Sequence, residues 1–178
     1  YNSSEILTVE RGALSIEDIL LMREELPFLP AREVSLEMRS PEFGYWIRFD
    51  VLNALDKQLY IQIPFYGTDS IELFVVESGQ VTSRHLSGDK LAFEDHQVKS
   101  NSTIFPIDVE PGDSFTGFIY VSGANLPTLP FFATNSNEII RRTHKNNLFD
   151  GIYFGFILII ILYNLVLFFQ IKERDHLV

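Results

Sequence analysis

Tyr45-Trp46-Ile47-Arg48-Phe49-Asp50-Val51-Leu52-Asn53 reads as a strand with two unlike faces. Side chains on a strand point alternately to its two sides. Tyr45, Ile47, Phe49 and Val51 therefore share one side, and it is apolar throughout. Trp46, Arg48, Asp50 and Leu52 share the other, a mixture of aromatic, charged and apolar groups. One apolar face and one mixed face is the pattern of an antiparallel sheet with a single side against a core.

The same alternation extends along the chain. In residues 58–65, Leu59, Ile61, Ile63 and Phe65 lie opposite Tyr60, Gln62 and Pro64. In residues 114–122, Phe115, Gly117, Ile119 and Val121 lie opposite Thr116, Phe118, Tyr120 and Ser122. Segments 33–39, 71–77, 103–109 and 129–134 also suit strands. Turn signals divide them: Ser40-Pro41, residues 53–56, Gly67-Thr68-Asp69, Ser78-Gly79, Ser87-Gly88-Asp89, Pro111-Gly112-Asp113 and Ser122-Gly123. One short helix is expected early, where Ser15 and Asp18 form a capping box before Ile19, Leu20, Leu21 and Met22, with Pro27 and Pro30 ending it. Helical repeats do not separate the strands, so parallel βαβ units are excluded and a sandwich or jelly roll is expected.

Beyond residue 150 the composition changes. No charged residue occurs from Gly151 to Ile171. A helix rises about 1.5 Å per residue, so about 20 apolar residues cross a hydrocarbon layer of about 30 Å. The expected organisation is a β domain over residues 1–147, a transmembrane helix over 148–171, and the start of a loop over 172–178. Asn164, the strongly polar residue within the span, points to packing against other helices. Arg141, Arg142 and Lys145 precede the helix; Lys172 and Arg174 follow it. That local count favours an internal N-terminus. Large domains translocate regardless of charge, however, and an external N-terminus is the reading adopted. The chain opens on Tyr1, not Met, and the natural protein is expected to continue past the helix.

Charge and composition exclude several functions. The 178 residues include 24 acids and 14 bases, for a formal charge of -10, so the basic face that binds nucleic acid is missing. With 0 cysteines there is no disulfide, no thiolate zinc site and no cysteine nucleophile. No Gly-x-Ser-x-Gly elbow or phosphate-binding glycine loop occurs, so no catalytic residue is assigned and no cofactor is expected.

A binding surface is the better expectation. If the strands share a sheet, its outer face carries Trp46, Arg48, Asp50, Tyr60, Gln62 and Tyr120. Aromatic rings stack on the C–H faces of sugars, and planar Arg, Asp and Gln groups hydrogen-bond hydroxyls. These six residues are the candidate ligand site for a carbohydrate or similar polar small molecule. The competing structural reading buries Trp46 under a loop and makes Arg48 and Asp50 a same-face ion pair. Acidic turns at 108–113 and 88–95 raise calcium sensing as an alternative, although neither has EF-hand spacing and no metal ligand is assigned. A structural domain that forms a homodimer, and a tethered glycosidase, are the remaining alternatives.

The order of features resembles the extracytoplasmic part of bacterial seven-transmembrane receptors with diverse intracellular signalling modules, in the variant with a carbohydrate-binding-like jelly roll. The resemblance lies in the Trp46 strand, the Gly88-Asp89 turn with Phe93, the Val109-Glu110-Pro111-Gly112 turn, and Leu129-Pro130-Phe131-Phe132. Its most specific part is Gly151-Ile152-Tyr153-Phe154-Gly155 running into Leu162-Tyr163-Asn164-Leu165, similar to the first helix of the receptor bundle. The resemblance implies an all-β, antiparallel, jelly-roll or galactose-binding-like sandwich followed by one transmembrane α-helix. It also implies a non-enzymatic sensor at the cell inner membrane, periplasmic or extracellular, with further helices and a histidine kinase or diguanylate cyclase as output. Trp46 and Arg48 carry over as the family-like pair.

Overall fold

A computed structural model of the chain describes residues 4–31, 42–55, 57–63, 69–89, 91–92, 102–122 and 131–175. In the last stretch, side chains are described for 131–141, 148–149 and 151–169. The elements run β1 (Glu5–Glu10), α1 (Ile16–Leu21), β2 (Leu29–Pro30), β3 (Phe43–Leu52), β4 (Leu59–Ile63), β5 (Ser70–Glu77), β6 (Gln80–Ser87), β7 (Thr103–Ile107), β8 (Ser114–Ser122), β9 (Phe132–Asn135) and α2 (Ser136–Asp175). Two antiparallel sheets result: a six-stranded sheet in the order β2-β1-β3-β8-β5-β6 and a three-stranded sheet in the order β7-β4-β9. Among the described strands from β3 onward, every connection except the β5–β6 hairpin leads to the other sheet. That is the crossing pattern of the expected jelly-roll sandwich.

Alternation placed the core correctly. Tyr45, Ile47, Phe49 and Val51 of β3 meet Leu59, Ile61 and Ile63 of β4, with Phe115, Ile119 and Val121 of β8, in one buried cluster between the sheets. Burial raises the Tyr45 phenol above its ordinary 10.0, because the anion would lose its water. Gly117 of β8 faces the same layer, where the Phe49 ring occupies the space a Cβ would need.

A second, smaller core lies on the opposite face of the six-stranded sheet. Leu7, Trp46, Phe74, Val76 and Phe118 project from four strands and are closed over by Ile16 and Ile19 of α1. Ser15 caps this helix, its Oγ accepting from the Asp18 amide while Asp18 Oδ2 accepts from the Ser15 amide at 2.9 Å. Hydrogen bonds donated to Asp18 Oδ2 by the Ser15 amide and by the Ser15 hydroxyl hold that carboxyl below its ordinary 3.8.

Two strands had no alternation to reveal them. β1 is apolar on both sides, since Ile6 packs against the main core while Leu7 belongs to the second one. β6 turns Ser83, His85 and Ser87 inward opposite Val75, Leu73 and Ile71, so its core side is polar. The expected strand at 33–39 lies outside the described residues. The last helix starts at Ser136 and takes residues 141–147 into its length, ahead of the expected start at Leu148. Its stretch Gly151–Phe169 is 19 residues with mean hydropathy 2.6, long and apolar enough to cross a membrane. Asn164 turns its amide onto its own helix, donating to the Ile160 carbonyl at 2.8 Å.

Candidate functional site

The six candidate residues separate into two groups. Trp46, Arg48 and Asp50 stand on β3 and Tyr120 on β8, all on the outer face of the six-stranded sheet. Tyr60 and Gln62 stand on β4, in the three-stranded sheet. The single shared platform is therefore corrected: period-two alternation fixes a side chain's face but not its sheet, and the chain changes sheet between β3 and β4.

On the larger sheet these groups hold the outer layer together. The Trp46 ring is 2% exposed and lies 4.9 Å from the Tyr120 ring and 5.7 Å from Phe74. Its indole N–H has no hydrogen-bond partner among the described residues. Directly opposite Trp46 in register, Tyr120 accepts from the Gly12 amide at 3.0 Å through its hydroxyl. That bond ties the β1–α1 turn down over the sheet. Arg48 pairs with Glu5, Nε donating to Oε2 at 2.8 Å, and lies over the Phe28 ring at 4.7 Å. Asp50 accepts from Thr116 Oγ1 at 2.7 Å. Arg48 and Asp50 thus engage cross-strand neighbours instead of each other. Exposed or half-exposed ion pairs of this kind contribute about 0–1 kcal/mol, so the burial of Trp46 matters more to this layer.

The smaller sheet presents a different surface. Leu59, Ile61 and Ile63 face the core, which leaves Tyr60 and Gln62 on the outer side of β4. Register sets Gln62 between Ile104 and Phe132, and Tyr60 between Pro106 and Thr134. Gln62 is 3% exposed, and Ile104 and Thr134 are buried with it. No hydrogen-bond partner for Gln62 Oε1 exists among the described residues. A buried acceptor left unpaired costs about 1–3 kcal/mol. Sequence reasoning selected Gln62 and Tyr60 but missed Thr134 and Ile104, whose strands show no distinctive outer pattern.

The acidic turn at 108–113 serves the backbone. The Asn53 amide donates to the Asp113 carbonyl at 2.8 Å, and the Gly112 amide donates to the Asn53 carbonyl at 2.7 Å. Among the described residues no group of three or more His, Asp or Glu side chains is placed to hold a metal ion. Glu94 and Asp95 of the second acidic turn lie outside the described residues.

An antiparallel sandwich followed at once by a long apolar helix is the build of a membrane-anchored extracellular domain. Residues 2–133 match the model of the 7TMR-DISM extracellular 2 family, and the chain belongs to that family. Its members are extracellular sensor domains of seven-transmembrane receptors, not enzymes. No curated protein matches the chain. Among solved structures it is similar to the crystal structure of a beta-glucuronidase from Ruminococcus gnavus, with 13% identity and a TM-score of 0.33. That match covers 68% of this chain but 22% of the enzyme.

Proposed function

We propose that the chain is the ligand-sensing outer part of a bacterial membrane signalling receptor. Residues 1–147 stand on the periplasmic or extracellular side of the inner membrane, 148–171 cross it, and 172–178 open a cytoplasmic loop. The ligand is a carbohydrate or similar polar small molecule. Further transmembrane helices of the same receptor relay its binding to a cytoplasmic histidine kinase or diguanylate cyclase.

The path of the chain out of the sandwich carries this reading. β9 ends at Asn135, α2 begins at Ser136, and the helix continues without a break through 141–147 into the apolar span. Every residue of that stretch is held by hydrogen bonds to neighbouring turns, so it bends far less than a coil of equal length. A displacement of the first turn of α2 is therefore carried along the helix to the apolar span. Ligand acts by population shift: it favours whichever arrangement it binds better. A hundredfold preference supplies about 2.8 kcal/mol of bias.

The test is Asn146→Pro in the intact receptor, which interrupts the helix above the membrane. Ligand binding is expected to persist while ligand-dependent kinase or cyclase output is lost. An unchanged response in the output would overturn the proposed coupling.

A further inference from the structure

We infer that the turns of α2 just above the apolar span, residues 141–149, are a docking surface for an anionic phospholipid, with its phosphate at Arg141, Arg142 and Lys145 and its acyl chain along the apolar positions below. The inference rests on the membrane reading above and adds a lipid partner to it. Residues 141–149 hold three bases and no acid, whereas Lys172 and Arg174 beyond the span are matched by Glu173 and Asp175. Basic residues beside a span ordinarily mark its inner flank. In the proposed orientation they stand on the outer one, so topology does not account for them. The anionic surface within their reach is the bilayer itself. The domain above has the opposite charge balance, with 21 acids against 9 bases over residues 1–140. Electrostatic attraction to anionic head groups is therefore confined to the helix.

Depth and face both suit that partner. At about 1.5 Å per residue the 19 residues of Gly151–Phe169 measure about 28 Å, close to the hydrocarbon thickness of about 30 Å. Lys145 then stands about 9 Å above Gly151, and Arg141 about 15 Å. The head-group zone is about 5–8 Å deep, and long Lys and Arg stems let a charged head reach down to it. α2 runs unbroken from Ser136 to Asp175, so no kink displaces these positions. Positions 141, 145, 148, 152 and 159 recur on one side of a helix with 3.6 residues per turn. That side is basic at head-group depth and apolar beneath it, where Leu148, Ile152 and Ile159 are exposed. A phospholipid has the same division, phosphate above and hydrocarbon below. Arg141 is already engaged in one contact, Nη2 donating to Glu138 Oε2 at 2.8 Å, but the pair is exposed and weak enough to exchange. A guanidinium fork matches phosphate oxygens at least as well as it matches a carboxylate.

The experiment reconstitutes the full chain in phosphatidylcholine bilayers with equal traces of photoactivatable phosphatidylglycerol and photoactivatable phosphatidylcholine, and measures adducts of each by intact mass. At low salt the anionic probe is expected to give on the order of fivefold more adduct than the zwitterionic one. That preference should fall toward parity at 1 M salt, where charges are screened within about 3 Å. Arg141→Gln/Arg142→Gln/Lys145→Gln should abolish the preference without loss of helix, read by circular dichroism, since glutamine is a good helix former. Arg141→Lys/Arg142→Lys keeps the charge and should keep most of the preference, and so should Lys172→Gln/Arg174→Gln on the other flank. A preference that survives the triple substitution overturns the location, and one that the charge-preserving pair loses overturns the electrostatic basis. Equal adducts of both probes on the original chain overturn the inference and leave the membrane reading standing. Absence of any adduct overturns the membrane span along with it.

Discussion

Asn53 shows how much one buried polar side chain can organise. It is 1% exposed, donates to the Val109 carbonyl at 2.7 Å, and accepts from the Leu55 amide at 3.2 Å. Replacing it with alanine removes both bonds and leaves two half-buried partners unsatisfied. Asn53→Ala is expected to lower stability by about 2–3 kcal/mol, read as a shift in urea midpoint. Gly117→Ala tests the opposite fault. The new methyl would meet the Phe49 ring, itself held 4.4 Å from Phe131, so overpacking should cost about 1–3 kcal/mol. Asp18 supplies a pH test. Its folded pKa is depressed, so its contribution is complete above the ordinary 3.8 and is lost as pH falls through the lower folded value. The stability gap between the original chain and Asp18→Asn should therefore shrink as pH drops below 3.8, and a gap independent of pH there would contradict the capping role. From sequence, Ser15 and Asp18 were legible because a capping box is local; Asn53 read only as turn punctuation, because its partner Val109 is distant in the chain.

At the scale of elements, the β5–β6 hairpin turns through Ser78 and Gly79, with φ of 52° and 80°, between the paired Glu77 and Gln80. Positive φ at both central residues is the type I′ geometry whose twist suits a two-residue hairpin. Gly79→Ala is expected to cost about 1–2 kcal/mol, since a Cβ disfavours that conformation. Hydrogen exchange should show the loss first along β6, the edge strand. This hairpin was half visible: the turn dipeptide stood out, but the strand after it did not, because Ser83, His85 and Ser87 occupy its inward positions. β1 was hidden for the reverse reason, with apolar residues on both sides serving two cores. Where one face meets a core and the other meets water, as from Phe49 to Leu52 of β3, alternation is sufficient; where both faces or neither are apolar, it has no contrast to work with.

At the scale of the whole molecule, the family, the antiparallel sandwich and the apolar helix agree on an extracellular domain followed by a helix long and apolar enough to cross a membrane. The complete absence of cysteine makes the proposed orientation directly measurable. Gln80→Cys, at an exposed edge position, is expected to react with a membrane-impermeant maleimide in intact spheroplasts, and labelling only after lysis would reverse the orientation. The sequence by itself determined the apolar span, the antiparallel class and the inward residues of β3, β4 and β8, because hydropathy and side-chain alternation are properties of neighbouring residues. Only the tertiary structure decided that β4 left the sheet of β3, that α1 closed over Trp46, and that Gln62 came to be buried beside Tyr60 and Thr134. Those outcomes depend on which distant strands pair and which faces are covered, and no local pattern encodes either.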